Sequence, residues 1–224
     1  MSEIDQEYYR ETTPGSAAEK LLVRARDCIY RDLERVCSPS ATSTILDFGV
    51  SDVVNDGANL LERLYPHPQN ITAVGLGIGT AFQQAFPTVT YVQTKPYQPL
   101  PFQNRSFDIA VSNAVLEHMG ARHDQEWMIA ELARVATSVF VTVPNRYFPI
   151  EHHTALPLVH YNESLFSWIC ALTGKEMWAL EQNLILMSKR KLRILAPENR
   201  TIDIGYTGLK LGPFSSNLYM YIAK

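Results

Sequence analysis

Apolar positions recur at helical spacing at the start of the chain. Ala18, Leu21, Leu22, Ala25, Ile29, Leu33 and Val36 form one stripe, so an amphipathic helix is predicted over about residues 17–37. Ser16 and Glu19 make a capping-box pattern in front of it, and Ser38-Pro39-Ser40 stops it. The pattern then changes to short apolar runs: Ile45–Gly49, Ile71–Gly75, Val89–Gln93, Phe107–Ser112 and Val139–Val143. Helical patterns lie between them, around Leu60, Leu61 and Leu64, from Thr80 to Phe86, and from Asp124 to Ala136. Strands alternating with helices predict a mostly parallel, doubly wound α/β sheet with helices on both faces. The near-continuous apolar character of the strands fits burial on both sides.

After Pro144 the pattern loosens. A loop rich in aromatic residues and histidine, Asn145 to Tyr161, precedes helical segments at Ser164–Leu172 and Met177–Leu186. Strand-like pieces at Thr201–Tyr206 and Leu218–Ile222 end the chain and are expected to close the same sheet. No linker is visible, so a single domain over 16–224 is expected after a flexible segment, 1–15. Within it, 16–40 is the N-terminal helix, 41–144 the strand-and-helix core, 145–200 the following loop and helices, and 201–224 the closing strands.

Composition narrows the function. The 224 residues are 46% hydrophobic and 19% charged, with a net charge of −3, which gives no basic groove for nucleic acid. Lys189-Arg190-Lys191 reads as a solvated helix end or turn. No apolar run is long enough to span a membrane, and three widely spaced cysteines fit neither a disulfide framework nor a zinc site. A reducing cytoplasm is the expected setting. Oligomeric state is open.

In a doubly wound sheet, ligands bind beyond the carboxyl ends of the strands. The residues there are Asp47, Gly49, Ser51 and Asp52 after the first strand and Asn113 to His118 after the fourth. Gly49 allows a backbone to approach a ligand closely.

From Pro99 to Ser112 the chain resembles the stretch that precedes and forms strand four of class I S-adenosylmethionine-dependent methyltransferases. Val115-Leu116-Glu117-His118 matches the Leu-Glu-His element of the type 11 subgroup. Glu131-Leu132-Ala133-Arg134-Val135 resembles its next helix, and Val143-Pro144-Asn145-Arg146 the end of its fifth strand. The resemblance spans roughly residues 40–160. It implies a Rossmann-like fold, S-adenosylmethionine as donor, and transfer to an O, N or C atom. By position, Asp47, Gly49 and Ser51 would surround the methionine part, and Gly75-Leu76-Gly77 would face the ribose. Asn113 and Val115 would lie beneath the sulfonium, and His118 near the methyl-transfer face.

The chain departs from the family pattern in three turns. The first reads Gly49-Val50-Ser51-Asp52-Val53 where the family has Gly-x-Gly-x-Gly. Gly77 stands where an acid usually holds the ribose, and Thr94-Lys95 replaces the acid after strand three. Asp52, Asn55 or Asp56 from the longer first loop could compensate. These departures supply an alternative, a methyltransferase-like binding or assembly module without turnover.

The loop after strand five is where the resembling enzymes build the acceptor site. Asn145, Arg146, Tyr147 and His160 are candidate acceptor contacts. Glu151 with His153 or His160 could orient a hydroxyl or amine and take its proton, and a histidine is the natural base near neutral pH. Glu151-His152-His153 also offers metal ligands, but without His-Glu-x-x-His spacing no metal site is assigned. The expected function is methyl transfer to an O or N atom of a small-molecule or sugar-containing acceptor, with His118, Glu151 and His153 as catalytic candidates.

Overall fold

A computed structural model describes residues 16–54 and 57–223. The expected flexible segment, 1–15, and the candidates Asn55 and Asp56 lie outside the described residues. Helix α1, Ala17–Cys37, begins where expected: Ser16 Oγ accepts from Glu19 N at 3.1 Å, and Ser38 closes the helix in the left-handed region. Strands β1 (Ile45–Phe48), β2 (Ile71–Gly75), β3 (Thr90–Gln93), β4 (Phe107–Asn113) and β5 (Ala136–Pro144) are parallel neighbours in the order β3-β2-β1-β4-β5. Helices α2 (Leu60–Leu64), α3 (Thr80–Ala85) and α4 (Arg122–Val135) connect them. Beyond the loop come α5 (Glu163–Thr173) and α6 (Lys189–Leu195). The tail forms a hairpin, β6 (Ile202–Leu211) and β7 (Phe214–Ile222), with β7 antiparallel to β5. The sheet order is β3-β2-β1-β4-β5-β7-β6, the expected doubly wound α/β sheet of one domain.

Two expectations needed correction. The predicted helical segment Met177–Leu186 contains only a short turn, Glu176–Ala179. The rest is drawn along the Leu116–His118 turn, where Ile185 N donates to the Glu117 carbonyl at 2.8 Å. The basic run at residue 189 is a helix end, as expected: it forms the first turn of α6, whose Leu192 and Leu195 are buried. The last two strands are also longer than their apolar patterns predicted.

Alternation along β1 sorts the two cores. Ile45 packs with Leu33, Leu61 and Phe82 under α1 and α2, while Leu46 packs with Met128, Leu132 and Val141 under α4. Successive residues of a strand face opposite sides, so the sheet carries one core on each face.

Arg134, near the end of α4, fixes the proline-rich loop. Its guanidinium donates to the carbonyls of Phe102 and Leu100 at 2.8 and 3.1 Å and pairs with Glu131 at 2.6 Å. Glu131 in turn accepts from Leu100 N at 2.6 Å. Hydrogen bonds to charged groups are each worth about 1.5–3 kcal/mol, and Arg134 is partly exposed. Replacing it by alanine is expected to cost about 2–3 kcal/mol in all, read as a lower urea midpoint. Hydrogen exchange across Pro96–Phe102 should rise in parallel.

Candidate functional site

The strand order reverses between β1 and β4, and a cavity of about 390 Å³ opens at the carboxyl ends of the strands there. That is a size typical of small-ligand sites. Its walls come from Phe48, Gly49, Val50 and Asp52 at and after the end of β1, Val74 to Gly77 at and after the end of β2, and Thr94 to Gln98 after β3. Ala114, Val115, His118, Met119, Trp127 and Gln182 complete it. Gly49 sits at φ +93°, where an L side chain is strained, and a Cβ there would collide with Val115. A Cβ on Gly75 would come within 2.7 Å of the Tyr91 hydroxyl. Tyr91 donates that hydroxyl to the Gly77 carbonyl at 2.6 Å, shaping the turn after β2. Asp52 is the one carboxylate among the described lining residues, and its Oδ1 accepts from Phe82 N at 3.0 Å, holding the start of α3.

Of the sequence candidates, the cavity gathers Gly49, Asp52, Gly75, Leu76, Gly77, Val115 and His118. Three others lie off it. Ser51 is held through its backbone N–H and carbonyl by the Asn59 side chain, at 3.0 and 2.9 Å. Asn113 Oδ1 accepts from the Thr142 hydroxyl at 2.6 Å. Asp47 is buried with Arg26 and Glu62 beneath the turn, on the face of β1 that Ile45 also occupies.

Burial pushes the Asp47 carboxyl up to about 7, against the opposing pull of Glu62 and Arg26. Burial, then the Asp47 charge, drives Glu62 in the same direction. The folded state therefore holds the Asp47 proton more tightly than the unfolded state, whose value is near 3.8. This contribution to stability is complete below about pH 4 and is lost as pH rises toward 7. Asp47→Asn removes the dependence. Its gain in melting temperature over the native chain is expected to be larger at pH 8 than at pH 5, by roughly 2–4 kcal/mol in equivalent stability.

A second cluster lies under the loop after β5. Glu151, 4% exposed, accepts from His153 N at 3.0 Å, Thr154 N at 2.7 Å and the Thr154 hydroxyl at 2.7 Å. Its other oxygen faces His153 Nδ1 at 2.8 Å. Burial opposes ionisation of Glu151, but the His153 charge and these hydrogen bonds outweigh it and hold the carboxyl down to about 2. His153 Nε2 meets His118 Nε2 at 3.2 Å, and His118 Nδ1 reaches the Asn183 carbonyl at 2.6 Å. Burial, and then His153, push His118 down to about 3, so its ring is neutral. A continuous line, Glu151–His153–His118, thus runs from the loop interior to the wall of the cavity.

The other acceptor-side candidates are distributed around this line. Asn145, Arg146 and His160, with Glu151 and His153, line a small void of about 10 Å³, one water in size. Asn145 is engaged with Ser215 O and Tyr147 N, at 2.9 and 3.1 Å, and His160 Nε2 donates to the Phe148 carbonyl at 2.9 Å. Tyr147 is exposed outside the void, its carbonyl accepting from the Tyr161 hydroxyl at 2.9 Å. Two neighbours escaped sequence reading. Gln182 reaches the cavity from a turn that Asn183 N and Leu184 N close on the Leu180 carbonyl, at 2.9 and 3.0 Å. Glu117 stands in the quoted Leu-Glu-His element, but its spacing did not show that the carboxylate is fully buried with neither oxygen hydrogen-bonded.

Comparison with known proteins places this geometry. The methyltransferase domain family of type 11 matches residues 67–138. No curated protein sequence matches the chain. Among solved structures, magnesium protoporphyrin IX methyltransferase from Synechocystis PCC 6803, with bound S-adenosylhomocysteine, superposes with a TM-score of 0.61 at 13% identity, over 98% of this chain and 94% of its own. The N-methyltransferase NodS from Bradyrhizobium japonicum WM9 gives 0.57 at 13% identity, over 98% and 95%. The small RNA methyltransferase HEN1 gives 0.57 at 15% identity, over 91% of this chain and 26% of its own. The superpositions show a Rossmann-like class I methyltransferase fold. The segment 67–138, about a third of the chain, is similar to the methyltransferase domain of type 11.

The cavity lies where a doubly wound fold holds its ligand, and its volume is that of a small-ligand site. It lies at the switch point, its floor is glycine backbone at Gly49 and Gly75, and its rim carries apolar Leu76 and Tyr97, both 54% exposed. No described helix is long and apolar enough to cross a membrane.

Proposed function

We propose that the protein transfers a methyl group from S-adenosylmethionine to an O or N atom of a small-molecule or sugar-containing acceptor. Residues 145–200 supply the acceptor side of the single domain. The supporting observation is the 3.2 Å contact that joins His118, on the donor cavity wall, to the buried Glu151–His153 pair of the acceptor-side loop. The bound donor supplies a methyl group already activated on a sulfonium, so the protein's main task is alignment. Gly49, Gly75 and Gly77 would admit the donor against bare backbone. Asp52 would take over the polar contact that Gly77 cannot make. The Glu151–His153–His118 line would position the acceptor and receive its proton, a contribution of about 10²- to 10⁴-fold.

A small acceptor is favoured by the rim, where Lys95 is the one cation among the described lining residues. A strand of nucleic acid needs a basic track. Free Cys28, Cys37 and Cys170 suit a reducing compartment such as the cytoplasm.

Incubation with methyl-labelled donor and separate pools of hydroxylated metabolites, amines, sugars and RNA tests the reading. Label is expected in a small-molecule pool. Label confined to RNA, or no turnover with any pool despite donor binding, would overturn it, and the second result would favour a non-catalytic module.

A further inference from the structure

The contact between His118 and His153 poses a chemical problem. A carbonyl oxygen only accepts, so His118 Nδ1, 2.6 Å from the Asn183 carbonyl, carries a hydrogen. Glu151 accepts three other hydrogen bonds, from His153 N, Thr154 N and the Thr154 hydroxyl, and its remaining oxygen faces His153 Nδ1 at 2.8 Å, so that nitrogen carries a hydrogen as well. With one hydrogen on each ring, the two Nε2 atoms present lone pairs to each other across 3.2 Å. Such a contact persists only with a proton or a cation between the rings.

The surroundings favour a cation. Glu117 is 0% exposed, and neither carboxylate oxygen has a hydrogen-bond partner. A buried carboxylate left so costs several kcal/mol unless it is neutralised or given a counter-charge. One oxygen of Glu117 and one nitrogen each of His118 and His153 lie within 4.8 Å of one another. A tetrahedral ion with bonds of about 2.0–2.1 Å sets its nitrogen ligands about 3.3 Å apart, close to the observed separation. Both imidazoles also carry the supporting contacts of metal-bound histidines: the far nitrogen of one donates to a carboxylate, that of the other to a backbone carbonyl. Trp178, with its ring 4.8 Å from that of His153 and 5.9 Å from that of His118, supplies an apolar wall.

We propose that Glu117, His118 and His153 form a mononuclear site for a divalent first-row transition cation, at the seam between the donor cavity and the acceptor-side loop. Two imidazoles and one carboxylate suit Mn²⁺, Fe²⁺, Co²⁺ or Zn²⁺ rather than the all-oxygen shells of Mg²⁺ and Ca²⁺. Three protein ligands leave a position open, as in sites that bind a reacting oxygen. An acceptor hydroxyl held there would ionise more readily. The ligands come from two distant places in the chain, which is why Glu151-His152-His153, read as a local run, did not disclose them. The binding site stands on its own geometry; only its catalytic consequence rests on the methyltransferase reading.

The test is titration of the chelator-treated full chain with Co²⁺, without donor or acceptor, following the visible ligand-field bands and the heat. One Co²⁺ per chain is expected, displaced by Zn²⁺ and not by equimolar Mg²⁺. Glu117→Gln and His118→Asn should each weaken binding by at least 10-fold, and Glu151→Gln, through the ring it holds, by about 10- to 100-fold. His123→Ala, at an exposed histidine, should leave binding unchanged. Metal-free melts show which variants are folded, and the native titration alone can decide. No bands and no heat at millimolar Co²⁺ would overturn the site, as would binding that survives Glu117→Gln and His118→Asn together. S-adenosylhomocysteine binding measured alongside separates the two ideas: donor binding without Co²⁺ binding refutes the metal site and leaves the methyltransferase reading intact.

Discussion

Gly49→Val is expected to abolish binding of S-adenosylhomocysteine, with a loss of at least about 100-fold, or roughly 2.7 kcal/mol. Two effects add. At φ +93° a β-branched residue is strained, at a cost of order 1–3 kcal/mol. A Cβ there also collides with Val115, and the added methyls must either displace Val115 or project into the cavity that Gly49 and Val115 line. Both outcomes remove space at the switch point, where the proposed donor site lies. The variant should still fold, since Gly49 N–H keeps its 2.8 Å bond to the Val74 carbonyl whatever the side chain. Calorimetry with the ligand and a thermal melt without it check both halves.

Glu151→Gln is expected to lower methyl transfer by about 10²- to 10⁴-fold while leaving donor affinity nearly unchanged. Glu151 lies beyond His118 from the donor cavity and does not line it. Its carboxylate accepts from His153 N, Thr154 N and the Thr154 hydroxyl and fixes the His153 ring. An amide presents two donors on one side, so at least one of these hydrogen bonds is lost and the ring is released. The same change should destabilise the loop by about 2–4 kcal/mol, because a partner in a buried charged network is removed. Single-turnover rates beside donor titrations separate the catalytic effect from the structural one. Lower turnover with equal loss of donor binding would place Glu151 in the fold and not in the transfer.

The parts of the molecule ruled by local periodicity were readable in advance. Helix α1 announced itself through its stripe and the Ser16 cap, and β1, β2 and β4 through apolar runs ending in turns. Strand alternation also sets the direction of the acid in β1. Ile45 and Asp47 share a face, so the acid was bound to point under α1 and α2 rather than into the cavity. What local pattern could not carry was set by tertiary contacts. The segment after Ala179 has helical spacing at Leu180 and Leu184, yet the bonds from Asn183 and Ile185 to the Leu116–His118 turn hold it irregular. The orientation of Glu117 depends on the same docking. Its residue type was visible, and its isolation was not. Asp52, a possible substitute for the missing glycines and acids, does reach the cavity, but its bond to Phe82 N shows that it also sets the start of α3. The first turn is thus both a ligand wall and a helix cap, which explains a polar loop where a glycine-rich one is usual.

The most direct measurement is isothermal titration of the full chain with S-adenosylhomocysteine, beside the same titration of Gly49→Val. One saturable site per chain in the native protein, lost in the variant, is the result predicted by a donor cavity between β1 and β4. The absence of heat and of any thermal shift at millimolar ligand, or binding that Gly49→Val leaves unchanged, would contradict it.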